Sequence, residues 1–257
     1  MTRLIAVASG KGGVGKTTST VNIGAALAKF GRNVIVLDAN LTTPNVGLHL
    51  GMHGPLTTLN DVIEGKATIT DAIYLHHSGL RVIPAGISLR HLKSADPARL
   101  WDIMLDLFGS AEVVLLDTPA GLESGAKAVL DAAEEVLIIT NPEVPAVTDA
   151  LKTIRVAKHS GAQPIGVVIN KVTNDHGEMS KEEVEAMLDL PVIAQIPFDK
   201  EITRSIKMKS PIVLRYPTSP AAKAYTKLSA DLVGIEHEIK AEGWGAVHFL
   251  KKLFGVN

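Results

Sequence analysis

A glycine-rich stretch near the start of the chain has the residue types and spacing of a phosphate-binding loop. Residues 10–17 read GKGGVGKT and match the pattern G-x-x-x-x-G-K-[ST] at every fixed position. Its glycines let backbone N–H groups curl around phosphate oxygens, and the positive end of the following helix strengthens that attraction. We expect the Lys16 ammonium to neutralise the β- and γ-phosphates of a nucleotide, and the Thr17 hydroxyl to bind Mg²⁺. The predicted contacts of this loop are Gly10, Lys11, Gly12, Gly13, Val14, Gly15, Lys16, Thr17 and Thr18.

Two aspartates stand at the ends of apolar stretches that are typical of buried strands. Asp38 follows VIVL, and Asp117 follows VVLL. A carboxylate at the end of a strand can hold Mg²⁺ directly or through water, and the alternative is that it caps the next helix. Two such aspartates in a chain with a phosphate loop favour the metal site. We therefore predict that Thr17, Asp38 and Asp117 are its ligands.

Short β-rich stretches alternate with helical patterns along the chain, and this order must position the candidate residues. Such alternation predicts βαβ units and an α/β fold, a doubly wound, mostly parallel β-sheet flanked by helices, as in P-loop NTPases. Ligands of these sheets bind beyond the carboxyl ends of the strands, where the candidate residues lie. The predicted strands are 4–8, 34–37, 81–84, 113–116, 136–140, 165–169 and 192–196, and the main predicted helices are 17–30, 96–108, 122–134, 145–159, 178–189 and 219–233.

Composition narrows the class of protein. The 257 residues fit one large α/β domain, with two small domains as the alternative. The formal net charge of −1 counts against a nucleic-acid partner, although a local basic patch stays open. There is no cysteine, which excludes disulfides and thiolate metal sites. No apolar run reaches the roughly 18 residues of a spanning helix, and the first residues do not read as a signal peptide. We expect a cytoplasmic protein whose membrane contact, if it has one, is peripheral.

A second lysine, Lys11, makes KGGVGKT the deviant form of the phosphate-loop motif. With it the chain resembles the MinD/ParA family of deviant Walker A ATPases, and most closely the archaeal-type members of the MinD branch. The resemblance extends over the whole chain. It includes VLDANLTTPNVGLHLGM at 36–52, VIPAG at 82–86, LLDTPAG at 115–121, NPE at 141–143, VVINKV at 167–172 and IPFD at 196–199.

The resemblance implies an ATPase that uses ATP and Mg²⁺ and forms a homodimer with ATP. In such a dimer Lys11 reaches the partner's phosphates, whereas spacing alone shows only an extra cation that water could solvate. Asn170 resembles the family's adenine-binding asparagine, and an amide offers a donor and an acceptor to a base edge; a turn-forming Asn-Lys pair is the alternative. The loop Pro197, Phe198 and Asp199 is expected to flank the base on its other side.

Asn40 departs from the family pattern, which has an aspartate here in a D-x-D arrangement that helps to activate the attacking water. An amide cannot accept the proton, and general-base help is worth roughly 10²–10⁴-fold, so slow hydrolysis is expected. A natural variant and an introduced substitution both fit, and Asn40 could also merely shape the turn before Pro44. The predicted catalytic residues are Lys11, Lys16, Asp38 and Asn40.

The end of the chain divides into two parts after a predicted ATPase domain at 1–234. Residues 235–243 are polar and read as a linker, and residues 244–257 are apolar again. At about 100° per residue the apolar side chains of this C-terminal segment share one broad face flanked by lysines, which describes an interfacial membrane helix, with a helix packed on the core as the alternative. The predicted membrane contacts are Trp244, Val247, Phe249, Leu250, Leu253 and Phe254.

These observations predict a switch that binds an anionic membrane surface as an ATP dimer on the inner face of the cell membrane. It would position cell-division or other polar machinery and be released on hydrolysis, which an unidentified protein regulator stimulates. A ParA-like DNA-partitioning ATPase is one alternative, and a regulator of flagellum or pole position is another that sequence barely separates. Iron–sulfur carriers of this fold would need cysteines.

Overall fold

The computed structural model describes residues 2–52, 54, 57–86 and 99–235, which form an eight-stranded sheet with helices on both faces. The strand order is β3-β4-β2-β5-β1-β6-β7-β8, and every neighbouring pair is parallel except β3 with β4. The predicted doubly wound sheet is thereby confirmed. The strands are β1 (Arg3–Ala8), β2 (Val34–Asp38), β3 (Tyr74–Leu75), β4 (Arg81–Ile83), β5 (Val113–Asp117), β6 (Glu135–Thr140), β7 (Gln163–Val172) and β8 (Val192–Pro197).

The helices cover both faces of the sheet, and six of them correspond to the helices predicted from periodicity, with ends that differ by up to three residues. Residues 96–98 of the predicted helix 96–108 lie outside the described residues. One 3₁₀ turn, Thr70–Ala72, precedes β3. The α-helices are α1 (Lys16–Lys29), α2 (Val46–Leu50), α3 (Leu59–Ile63), α4 (Arg99–Leu105), α5 (Ser124–Asp131), α6 (Val144–His159), α7 (Lys181–Leu188), α8 (Lys200–Lys207), α9 (Ile212–Arg215) and α10 (Pro220–Leu232).

The central strands are buried on both faces, which explains why their sequences are continuous apolar runs. In β1, Leu4 and Ala6 face one hydrophobic cluster, and Ile5 and Val7 face the other. Helices α3 to α7 cover the first cluster, and α1, α2, α9 and α10 cover the second. Parallel strands need such cover because both of their faces are apolar.

The elements that the sequence analysis missed are short or polar. The edge strand β3 has two residues and runs antiparallel to β4, and α2, α3 and α9 have five residues or fewer, too few to show a period. Half of the residues of helix α8 are charged, and Ser205 is its one buried residue. Strand β7 is also longer than predicted.

Helix α1 lies unusually close to the strand that carries Asp38. A side chain on Gly24 would place its Cβ 2.5 Å from Val36 Cγ2 in β2, so only glycine allows this approach. The N-cap of α1 is Gly15, whose φ of 102° favours glycine. The phosphate loop therefore enters α1 at a fixed place above the sheet.

The described part of the chain ends just beyond α10. The Arg3 guanidinium donates to Leu232 O at 2.6 Å and so holds the end of α10 against the start of β1. None of the described helices is both long and apolar enough to cross a membrane. Apart from Ile235, the predicted linker at 235–243 and the segment at 244–257 lie outside the described residues.

Candidate nucleotide-binding site

The phosphate loop connects β1 to α1 at the carboxyl edge of the sheet. Gly10 passes so close to α6 that a Cβ there would lie 2.3 Å from Asp149 O, which makes a side chain at this position incompatible with the loop's path. The Ser9 hydroxyl donates to Lys11 O at 2.8 Å and closes the first turn of the loop. Lys16 is only 8% exposed at the start of α1. The loop thus presents an ammonium group from a partly desolvated position.

Asp38 and Asp117 stand opposite each other in the register of the neighbouring strands β2 and β5. Both are buried, at 0% and 1% exposed. The Thr17 hydroxyl donates to Asp117 Oδ2 at 2.6 Å, and the Thr20 hydroxyl donates to Asp117 Oδ1 at 3.2 Å. The structure therefore brings the three predicted metal ligands together, although they are far apart in the chain.

Asp38 organises the segment that follows β2. Its Oδ1 accepts a hydrogen bond from Asn40 N at 3.1 Å, and its Oδ2 accepts from Asn45 N at 2.8 Å and from Val46 N at 2.9 Å. The carboxylate therefore holds both ends of residues 39–45, which we call the switch loop. Because the same bonds satisfy N–H groups at the start of α2, the loop and that helix are positioned by one side chain.

Two buried carboxyl groups, Asp38 and Asp117, lie at this site near the ammonium group of Lys16. Burial, and then the charge of Asp117, raise the pKa of Asp38 to about 8 against the opposing backbone hydrogen bonds. Burial also raises the pKa of Asp117 to about 6, although Thr17, Lys16 and Thr20 oppose it. Burial lowers the pKa of Lys16, and Asp117 partly restores it. One ammonium group does not fully offset two buried carboxylates.

This donor set fits a hard divalent cation. Mg²⁺ prefers carboxylate and hydroxyl oxygens and completes its shell with water and phosphate oxygens. Asp117, Thr17 and Asp38 supply such oxygens at one edge of the sheet, and a cation there would stabilise the charged forms of the two carboxylates, whose pKa values burial raises.

A cavity of about 460 Å³ opens beside Lys16. Its walls come from the phosphate loop, the switch loop, the turn after β5, the end of β7 and α8. A volume of this size is in the range of small-molecule sites. The residues that line it are Gly13, Gly15, Lys16, Thr17, Thr18, Asn40, Thr43, Asn45, His49, Thr118, Ala120, Lys171, Ile202, Thr203 and Ile206.

Asn40 both lines this cavity and closes the turn of the switch loop. Its Oδ1 accepts from Thr43 N and from the Thr42 hydroxyl, each at 3.1 Å, and its Nδ2 donates to Thr43 Oγ1 at 3.0 Å. The turn-shaping role is therefore present in the structure. The catalytic consequence of the missing carboxylate stays a prediction.

Lys11 projects from the loop toward solvent. Its ammonium lies 3.4 Å from Glu143 Oε2, and the two side chains are 46% and 56% exposed. An exposed ion pair of this kind is worth about 0–1 kcal/mol, so it hardly restrains the lysine. The role of Lys11 toward a partner chain stays a prediction.

Asn170 contacts the phosphate loop from behind. Its Nδ2 donates to Val14 O at 2.7 Å, its Oδ1 accepts from Lys171 N at 3.0 Å, and the side chain is buried. The Lys171 ammonium donates to Gly13 O at 2.7 Å. Both residues thus brace the loop's carbonyl groups. A contact of Asn170 with a base remains a prediction, and it would require the amide to exchange at least one of these bonds.

The three residues of the loop predicted to flank the base, 197–199, differ in their surroundings. Asp199 Oδ1 accepts from Glu201 N at 2.9 Å and so caps α8, while Phe198 is 59% exposed. Pro197 ends β8. On this side the cavity beside Lys16 is lined by Ile202, Thr203 and Ile206 of α8.

Several residues at this site were not singled out from the sequence. Lys171 belongs to the VVINKV stretch, which predicts no role for it, and the inner face of α8 matches no motif. His49 belongs to no chemical motif either, although its place three residues after the start of α2 brings it into the cavity. The predicted membrane contacts Trp244, Val247, Phe249, Leu250, Leu253 and Phe254 lie outside the described residues.

A phosphate loop between β1 and α1, with buried acidic residues at the ends of two adjacent strands, defines a P-loop NTPase. A family model for ParA, described as "NUBPL iron-transfer P-loop NTPase", matches residues 1–233. The chain belongs to the ParA/MinD family of P-loop NTPases.

Relatives and a solved structure agree with this assignment. The chain is 40% identical over 255 residues to an uncharacterised ATP-binding protein of Methanocaldococcus jannaschii, a match that covers 98% of the chain and 96% of the relative. It is 32% identical over 268 residues to the septum site-determining protein MinD of Thermotoga maritima, covering 99% and 98%. The structure of MinD from Pyrococcus horikoshii complexed with Mg-ADP superposes with a TM-score of 0.88 at 35% identity, covering 93% of this chain and all of that one.

The carboxylate pair predicts an unusual pH dependence of stability in the nucleotide-free protein. A carboxyl group with a raised native pKa is more protonated in the folded state, so its stabilising contribution is complete below the unfolded pKa near 4 and is lost as pH rises toward the native values of about 6 and 8. The melting temperature in EDTA should therefore fall between pH 5 and pH 8.5.

Asp117→Asn should reduce that fall, since it removes one of the two buried charges. A difference of a few kcal/mol corresponds to roughly 5–10 °C in a protein of this size. Thermal unfolding by circular dichroism at the two pH values measures it, with exposed Asp106→Asn as the control. Equal pH dependence in wild type and Asp117→Asn would contradict the electrostatic repulsion.

Proposed function

We propose that the protein is an ATPase that acts as a dimerising switch: it binds Mg-ATP, pairs with a second copy, docks on an anionic membrane surface and is released on hydrolysis. The observation that supports the nucleotide site most directly is the 2.6 Å contact of Thr17 with Asp117, beside the buried Lys16. The septum site-determining relative supports an output in positioning cell-division or other polar machinery.

Each polar residue of the site has a distinct part in this scheme. Lys16 and the N–H groups of the loop bind the phosphates, and Thr17, Asp38 and Asp117 would hold Mg²⁺. When bound, Mg²⁺ supplies positive charge to the phosphate oxygens and to the two carboxylates. Asp38 also orients the switch loop, so the occupancy of the site can be transmitted to residues 39–45.

Lys11 is the residue proposed to join the two copies. Its only described ion pair is the exposed contact with Glu143, so little free energy opposes its transfer to phosphates of a partner chain. Two phosphate groups facing each other across a dimer would need extra cations. The deviant lysine meets that need from each side.

Hydrolysis is proposed to be slow. Asn40 faces the cavity but offers no carboxylate to accept a proton from water, and its amide is engaged with Thr42 and Thr43. A long-lived ATP dimer follows, and an unidentified protein regulator that stimulates hydrolysis would end it.

The C-terminal segment is proposed to bind the membrane only when two copies act together. Six apolar side chains gain about 9–18 kcal/mol on burial, while ordering some 11 residues costs on the order of 1–2 kcal/mol each, so a single segment binds weakly. A second segment on the same dimer raises avidity by about 10²–10⁴-fold. Dimerisation thereby controls membrane binding.

Light scattering tests the dimer. Saturating Mg-ATP should double the mass of the wild-type protein, and Mg-ADP should not. Lys11→Ala should keep nucleotide binding and lose the dimer, because the cation that reaches across is missing, whereas Lys16→Ala should lose tight nucleotide binding itself. Exposed Lys223→Ala is the control. A wild-type mass that Mg-ATP leaves unchanged would contradict the switch.

A second test concerns Asn40. Asn40→Asp should raise ATP turnover by roughly 10²-fold or more, because a carboxylate restores a general base. The turn should accept it, since Thr43 N and the Thr42 hydroxyl can donate to a carboxylate. Asn40→Ala, which lacks both amide and carboxylate, is the control. Phosphate release that is no faster in Asn40→Asp would show that this position does not limit hydrolysis.

Liposome sedimentation tests the membrane step. Binding to vesicles with anionic lipid should require Mg-ATP and be slight with Mg-ADP. Leu250→Glu should abolish it while dimerisation persists, because a carboxylate would enter the apolar layer, and Leu250→Ile should behave like wild type. Equal binding with ADP and ATP would mean that avidity does not control the membrane step.

A further inference from the structure

His49 is a titratable group that lines the phosphate cavity and has no role in the proposed function. It lies in α2, after the switch loop, and is partly buried against the first turn of α1. Its ring contacts two groups: Nδ1 is 2.9 Å from Asn45 O, and Nε2 is 3.5 Å from the Thr18 hydroxyl. The ring thus bridges the end of the switch loop and the residue that follows Thr17.

The chemistry of these partners determines the state of the ring. A backbone carbonyl oxygen only accepts, so the Nδ1 of His49 must carry a proton. In a neutral imidazole Nε2 is then an acceptor, and the Thr18 hydroxyl donates its single proton to it across the long 3.5 Å contact. Burial lowers the pKa of His49 more than the bond to Asn45 O raises it, which favours this neutral form.

A phosphate in the cavity changes what Thr18 must do. Phosphate oxygens are acceptors, and Thr18 lines the cavity at the positive end of α1. A hydroxyl with one proton cannot donate to a phosphate oxygen and to a neutral Nε2 at once. If Nε2 is protonated, it donates to Thr18 Oγ1, and Thr18 donates to the phosphate. A proton on Nε2 of His49 therefore allows both hydrogen bonds of Thr18 to form. It also places a positive charge near the phosphate.

We propose that His49 is a positioning residue that takes up a proton at Nε2 when nucleotide phosphates bind, and relays it as a hydrogen bond through Thr18. The inference rests on the proposed nucleotide site. Proton uptake by His49 makes nucleotide binding depend on pH, and the hydrogen bond through Thr18 links the phosphate to α2. Asp38 holds the start of α2, and His49 holds its last turn against α1, so the helix responds to both ends of the site.

The charged groups around His49 come from every element packed on α2. From α1, Lys16 lines the same cavity, and Lys171 does so from the end of β7. Asp38 of β2 accepts hydrogen bonds from the start of α2. Beyond α8, the aliphatic part of Lys209 packs on Gly51.

Two further neighbours complete this environment. The ring of His76 is within hydrogen-bond distance of Leu50 O, and Arg204 on α8 pairs with Glu201. Phosphates that occupy the cavity bring negative charge near the ring of His49, which favours the protonated imidazole. The pKa of His49 is therefore expected to rise when a nucleotide binds.

Nucleotide affinity is therefore expected to decrease as pH rises. Nucleotide affinity is highest below the pKa of His49 in the free protein and falls as pH rises through the pKa of the bound form. Between those two values the affinity changes by up to about tenfold per pH unit, since one proton is taken up.

Calorimetry of Mg-ADP binding at pH 7 in buffers of different ionisation enthalpy counts the protons. Wild type should take up a substantial fraction of one proton more than His49→Gln, whose amide can donate to Thr18 but cannot titrate. Thr18→Ala should lose the same uptake, because the relay is interrupted, and Thr18→Ser should retain it. Subtracting the proton uptake of His49→Gln from that of the wild type removes the contribution of protons that bind to or leave the nucleotide.

Proton NMR of the imidazole Cε1–H identifies the group, with the resonance assigned by its loss in His49→Gln. Its pKa should rise by about one unit or more when Mg-ADP binds. Equal proton uptake in wild type and His49→Gln, or a pKa of His49 that Mg-ADP does not change, would overturn the inference while leaving the nucleotide site intact. Failure of the wild type to bind Mg-ADP would overturn the proposed function as well.

Discussion

The burial of two adjacent carboxylates is the constraint on which the rest of the site depends. Asp38 and Asp117 are placed side by side by the register of β2 and β5, and the sheet around them excludes water. Burial raises the pKa values of both, the charge of Asp117 raises that of Asp38 further, and Lys16 opposes the rise at Asp117. Two buried carboxylates beside one ammonium group leave room for further positive charge. A divalent cation that binds with the nucleotide would supply that charge.

The same carboxylates explain how chemistry at the sheet edge can reach a surface. Asp38 accepts three backbone hydrogen bonds from the switch loop and the start of α2, so its charge state bears on the position of residues 39–46. Helix α2 in turn contacts α1 through His49 and Thr18. The switch loop and the one-turn helix α2 are short, so few residues need to change conformation when they rearrange. That is the property a nucleotide switch requires.

Much of this arrangement was predictable from sequence. The phosphate loop, the two strand-end aspartates and seven of the eight strands follow from fixed motif positions and from long apolar runs. Two-residue β3 and the short helices α2, α3 and α9 have no readable period, so they could not be found in this way. The contact of Asn170 with Val14 O joins residues 156 positions apart, and no local pattern encodes it. His49 likewise acquires its neighbours only through the packing of α2 on α1.

The dependence of ADP affinity on Mg²⁺ tests most directly whether the site needs a cation to hold a nucleotide. Isothermal titration at pH 7.5 should give a dissociation constant at least about tenfold lower with Mg²⁺ than in EDTA, which is ~1.4 kcal/mol or more of binding free energy. The difference between the dissociation constants with Mg²⁺ and in EDTA should be smaller in Asp117→Asn, which lacks one of the two carboxylates. ADP binding that is equally tight with and without Mg²⁺ in the wild-type protein would contradict the account.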